Sequence, residues 1–140
     1  MKIFKPILFF FCLVFFSCSG NKENNNSDEK KPDITSGGFA VMTFEETEFN
    51  FGTIKDGAIV THNFKFKNTG SVDLHIVSVQ ATCGCATPEY PTEPVAPGKE
   101  EIIKVTFDSK GRLGMNDKKV QIIYNGKPKV VFLKIKVNVQ

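Results

Sequence analysis

The sequence predicts an all-β protein: a single immunoglobulin-like antiparallel β-sandwich of about seven strands over residues 39–140, after a signal peptide and a flexible linker. Three observations predict it. Beyond Phe39 apolar and polar side chains alternate with a period of two, as strands with one wet and one buried face require. The alternating runs recur every 8 to 15 residues with Gly, Asn or Pro between them. No window of helical length carries an apolar stripe of period 3.6.

Residues 1–17 open with Lys2 and Lys5 and continue as the uncharged run ILFFFCLVFF before SCSG, which is the order of a signal peptide. Ten apolar residues are too few for a bilayer span, which needs about 20 in a helix. The FFSC stretch resembles the lipobox of bacterial lipoproteins, with Ser17 at the small-residue position and Cys18 as the acylated residue that starts the mature chain. Ordinary secretory cleavage, leaving Cys18 unmodified, is the competing reading. Residues 18–38 then form the lipidated cysteine and a disordered linker. This stretch is rich in Asn, Ser, Gly and charge, with Ile34 its one large apolar residue, so it buries too little surface to offset the entropy of ordering. Residues 19–38 would reach roughly 25 Å as a flexible tether.

Loss of Lys2 and Lys5 leaves 16 basic against 15 acidic side chains, a net charge of +1. That balance excludes the electrostatic footprint of a nucleic-acid-binding protein. Cys12 leaves with the signal peptide and acylation blocks Cys18, so Cys83 and Cys85 are the side-chain thiols that remain. A multi-bridge disulfide scaffold is thereby excluded.

The strands follow in order at about 40–44, 47–51, 59–67, 73–81, 100–107, 118–124 and 129–139. The third places Val60, His62, Phe64 and Phe66 on one face and Thr61, Asn63, Lys65 and Lys67 on the other, and it stops at the turn signal Asn68-Thr69-Gly70. Across that turn, 73–81 either forms a hairpin with it or lies in the other sheet. The fifth aligns Glu101, Ile103, Val105 and Phe107 opposite Lys104 and Thr106. The last aligns Val131, Leu133, Ile135, Val137 and Val139. It pairs with 118–124 across Asn125-Gly126, where both residues tolerate positive φ. Between 81 and 100, Pro88, Pro91, Pro94 and Pro97 recur at period three, the repeat of polyproline II, and predict a stiff extended crossover rather than a strand.

Residues 44 onward resemble a family of bacterial extracytoplasmic domains of unknown function. The resemblance rests on Phe-Gly-Thr-Ile at 51–54, Phe-Lys-Asn-Thr-Gly at 66–70, Cys-Gly-Cys at 83–85 and Ala-Pro-Gly at 96–98. It implies a sandwich similar in architecture to major sperm protein, cilium-associated and pilus-chaperone domains, and an extracytoplasmic location. It implies no established activity.

Cys83-Gly84-Cys85 admits three readings. Two thiolates suit Cu(I) or Zn(II), but zinc wants two further ligands. The only histidines are His62 and His75. In a hairpin His75 would sit near the turn, about 26 Å of strand away from Cys83, so the four do not converge. A two-thiolate copper site escapes that objection. A disulfide between Cys83 and Cys85 is the second reading: glycine lets the backbone bend, while the small ring stabilises little. The third is a tight, half-buried bend in which cysteine acts as a small apolar residue.

The proline segment has a functional reading beside the structural one, with Pro88, Tyr90, Pro91 and Pro94 forming a partner-binding loop. Catalytic residues are absent from the expectation. There is no phosphate loop, nucleophile elbow or zinc-protease motif, and Glu45-Glu46 and Glu100-Glu101, adjacent in strands, point to opposite faces. The expectation is a non-catalytic lipoprotein, anchored to the envelope membrane through Cys18 and presenting a sandwich to a protein or glycan partner. It needs no cofactor; copper binding or redox chemistry through Cys83 and Cys85 is the competing function.

Overall fold

A computed structural model describes residues 37–140, so Cys18, the signal peptide and most of the linker lie outside the described residues. Eight strands form in chain order: β1 (Met42–Phe44), β2 (Glu48–Ile54), β3 (Ile59–Asn68), β4 (Ile76–Ala81), β5 (Ala86–Glu89), β6 (Glu100–Asp108), β7 (Gly114–Tyr124) and β8 (Val130–Val139). They make two 4-stranded sheets, ordered β1-β3-β6-β5 and β2-β8-β7-β4. Every pairing is antiparallel except that of β2 with β8, which is parallel.

That exception follows from the path of the chain. β1 ends in the first sheet, and after a short connection at residues 45–47 the chain enters the second, where Glu48 pairs with Lys134 and Phe49 with Ile135. β2 also runs past the expected stop at residue 51. Gly52, at a φ of 71°, accommodates the register shift between Asn50 and Thr53, and the strand resumes to Ile54.

The core lies between the sheets. Phe64, Phe66, Ile103, Val105 and Phe107 from the first meet Val120, Ile122, Tyr124, Leu133, Ile135 and Val137 from the second, all essentially inaccessible to solvent. The alternation read from β3, β6 and β8 puts these faces inward. Burying such a side chain contributes about 1.5–3 kcal/mol before entropy is counted. Tyr124 is fully buried, and its hydroxyl accepts a hydrogen bond from the Met42 N–H at 3.2 Å, which meets the polar need of a buried phenol.

Of the two arrangements open to the third and fourth strands, they take the one in different sheets. β3 pairs with β1 and β6, whereas β4 pairs with β7 in the other sheet. Asn68 is the cause. It is fully buried, and its carboxamide donates to the carbonyls of Val72 and Val95, both at 2.8 Å, while accepting from the N–H groups of Gly70 at 3.0 Å and Val41 at 3.4 Å. Asn68 thus fastens the crossover between sheets to two other segments. Residue 73 begins no strand; Leu74 makes an isolated bridge with Val95 instead.

Asn125-Gly126 differs from expectation too. Gly126 is not among the glycines at positive φ. It is needed because a Cβ there would collide with the Ala40 carbonyl oxygen and the Tyr124 ring.

Candidate functional site

β4 and β5 both lie at the margins of their sheets and are joined by the bend at Cys83-Gly84-Cys85. The two sulfurs are linked in a disulfide, with a Cα–Cα separation of 5.2 Å. Cys85 is buried and Cys83 partly exposed. The bend is also held by its backbone, with the Ala86 N–H donating to the Cys83 carbonyl at 3.4 Å and the Asp108 N–H to the Cys85 carbonyl at 2.9 Å. As a disulfide the pair offers no thiolate; a two-thiolate copper site belongs to its dithiol form.

Neither histidine joins this bend. His62 stacks on Phe49 with ring centroids 3.6 Å apart and hydrogen-bonds Glu46 at 2.8 Å, which ties β3 to the strand entering the other sheet. His75 lies at the opposite end of β4, its N–H donating to the Asn125 side-chain carbonyl at 2.9 Å. Among the described residues no group of three or more His, Cys, Asp or Glu side chains gathers in metal-binding geometry.

The stretch expected as a polyproline crossover contains β5. Pro88 sits within it, opposite Val105 of β6. The Asp108 to Cys85 bond marks which residues turn toward β6: Thr87 and Glu89 share its phase, so Ala86 and Pro88 turn their backbones to the open side. There proline costs the ladder nothing, because the N–H it lacks would have pointed away from β6. The open side is left blunt. Its first N–H, that of Ala86, is taken by Cys83, and its second does not exist.

Beyond β5 the chain bares side chains. Tyr90 is 36% exposed and Ile102 is 40% exposed; with Pro91, Glu89, Glu101 and Lys104 they line a shallow groove. Lys104 Nζ meets Glu89 Oε2 at 2.8 Å across the strands. This exposed pair adds little stability but fixes the groove's polar rim. Of the four residues expected in a partner-binding loop, Tyr90 and Pro91 come together here. Pro88 lies in the strand and Pro94 is exposed outside the groove-lining set. The sequence reading missed Ile102, although its signal is visible: in the alternating strand EEIIKVTFD, adjacent isoleucines cannot both point inward.

Two 4-stranded sheets packed face to face, with the chain switching sheets between β1 and β2, define an immunoglobulin-like β-sandwich. Its candidate site is a disulfide-capped edge and a shallow groove with a charged rim. The chain belongs to the family described as protein of unknown function (DUF1573), which matches residues 42–139. No curated protein matches it. Among solved structures it is similar to a protein of unknown function from Porphyromonas gingivalis W83 at 19% identity and a TM-score of 0.62, over 71% of this chain and 46% of that one. It is also similar to the VesB protease of Vibrio cholerae at 13% identity and a TM-score of 0.58, over 71% of this chain and 32% of that one. PapD-like domain 7 of human CEP192 matches at 13% identity and a TM-score of 0.57, over 71% of this chain and 84% of that one. The chain spans less than half of the first two. At these identities the likeness is one of fold.

Proposed function

We propose that this protein is a non-catalytic binding module of the cell envelope, held to a membrane by an acylated Cys18 and engaging a protein or glycan partner through the groove of Tyr90, Pro91 and Ile102. The observation that carries the reading is an edge that rejects a strand yet displays side chains. β5 is blunted by Pro88 and by the Cys83 turn, while the groove beside it exposes an aromatic ring and an isoleucine within a charged rim. Aromatic and aliphatic anchors ringed by polar groups are the usual centre of a recognition surface.

Photo-crosslinking from position 101 of the full chain in intact envelopes tests the groove. Tyr90→Ala and Ile102→Ser should leave the melting temperature unchanged and abolish the adduct. Adducts of undiminished yield from both variants would exclude the groove as the contact. Incorporation of labelled palmitate, lost on Cys18→Ser, tests the anchor separately.

The disulfide supports a second reading, in which the domain cycles between disulfide and dithiol and the dithiol binds Cu(I). Thiol counting with and without reductant, followed by copper titration, distinguishes the two. Stoichiometric copper uptake that disappears in a Cys83→Ser, Cys85→Ser variant would favour the thiol function.

A further inference from the structure

The four sheet margins are not equally protected. β1 has only 3 residues. β2 carries Glu48 and the irregularity at Gly52, and β5 is blunted as described. Short length, charge, bulges and proline are the devices by which proteins keep an edge from pairing. β4, IVSVQA, has no charged residue and no proline, and its one irregularity lies at its start, between Ile76 and Ser78.

The open groups of β4 can be named. The Thr82 N–H donates to the Lys119 carbonyl at 3.0 Å, and Gln80, opposite Gln121, and Ser78, opposite Ile123, share that phase. Val79 and Ala81 therefore direct their N–H and C=O groups away from β7, off the edge of the sheet. Val77 beside them is 67% exposed.

We infer that β4 pairs antiparallel with β4 of a second copy of this chain, joining the two 4-stranded sheets β2-β8-β7-β4 into one continuous sheet. The register follows from the exposed groups. Val79 of each copy faces Ala81 of the other, and each pair exchanges both N–H and C=O. Gln80 then lies directly opposite Gln80 on the outer face, where each carboxamide can donate to and accept from its mate. The outward row extends from Gln80 through Gln121 to Phe132, which is 51% exposed, so the two-fold axis places like rows end to end. Charge decides for a second copy. A strand without charged residues meets no like charge on its own two-fold axis, whereas any single acidic or basic side chain there would be opposed by itself. An interface of one short strand is small and belongs with weak, concentration-dependent contacts. This inference is independent of the Tyr90 groove, which lies on the other sheet.

The test uses the full chain in mild detergent. Sedimentation velocity over a concentration series should show a reversible monomer–dimer equilibrium. Gln80→Lys and Gln80→Glu, both at an exposed position, should each weaken self-association by about two- to fivefold, and mixing the two should restore it. Gln80→Cys should form a reducible crosslinked dimer, unlike Thr87→Cys on the other sheet. A monomer at every concentration would overturn the inference, as would charge variants that dimerise like the parent or equal crosslinking at positions 80 and 87.

Discussion

Replacing Asn68 by alanine should destabilise the domain by about 3 kcal/mol, although the residue stands where a surface turn was expected. Its carboxamide makes two bonds of 2.8 Å to the Val72 and Val95 carbonyls and one of 3.0 Å from the Gly70 N–H, with a longer bond of 3.4 Å from Val41. A buried partner left unsatisfied costs about 1–3 kcal/mol. The Val95 carbonyl keeps the Leu74 N–H at 3.0 Å, so its loss is partial; the Val72 and Gly70 groups, only partly buried, recover some water. Roughly 1 kcal/mol for each of the three shorter bonds gives the total. In a domain of this size that lowers Tm by roughly 12–20 °C. Asn68→Asp should cost at least as much near neutral pH, because it aims a carboxylate at two carbonyl oxygens, and should recover part of the loss on acidification, when the protonated acid can donate once. Urea denaturation followed by circular dichroism measures both variants. A loss below about 1 kcal/mol for Asn68→Ala, or a pH-independent Asn68→Asp, would refute the assignment of Asn68 as a buried clamp.

Gly126→Ala should cost about 2 kcal/mol or more through forced displacement of Ala40 or the Tyr124 ring; an unchanged melt would show that the turn yields. Hydrogen bonding to Lys136 holds the Glu48 carboxyl below its ordinary value of 4.5, and the same bond raises Lys136 above 10.5. Glu48 thus stabilises fully above pH 4.5 and loses that contribution as pH falls through its folded value; the Lys136 share is present below 10.5 and is lost as pH rises through its own. Glu48→Gln should therefore flatten both limbs of a Tm against pH curve, and limbs identical to those of the parent would contradict the ion pair. Reducing the Cys83–Cys85 bond, whose sequence separation is 2, should lower stability by only about 1–2 kcal/mol, read as a small drop in Tm with dithiothreitol; unfolding on reduction would show the bridge to be structural.

Much of the sandwich was legible because β3, β6 and β8 alternate cleanly and their inward faces became the core. What escaped depends on partners distant in sequence. β5 was hidden by Pro88, since local rules class proline as a strand breaker and cannot see that this edge leaves its missing N–H facing outward. Asn68 and Gly126 carry turn signals, yet their roles come from Val95 and Ala40, which no local window contains. The parallel docking of β2 on β8 has no local signature at all. Of the candidate site, Cys83, Cys85, Tyr90 and Pro91 stood out by type and spacing. Ile102, Glu101 and Lys104 reach the groove only because β6 lies beside β5.

Among the described strands β2 has a single neighbour, β8, the one farthest from it along the chain. A nascent polypeptide emerging from its N-terminus therefore cannot complete this sheet until residues 130–139 are free, and the segment around Phe49 and Phe51 must wait without a strand partner. Acquisition of the native state is deferred until β8 has emerged and is governed by a closure that spans nearly the whole domain, which favours slow folding. Truncation before Val130 would leave β2 with no strand partner and β7 with β4 alone, and should be as damaging as loss of the core itself.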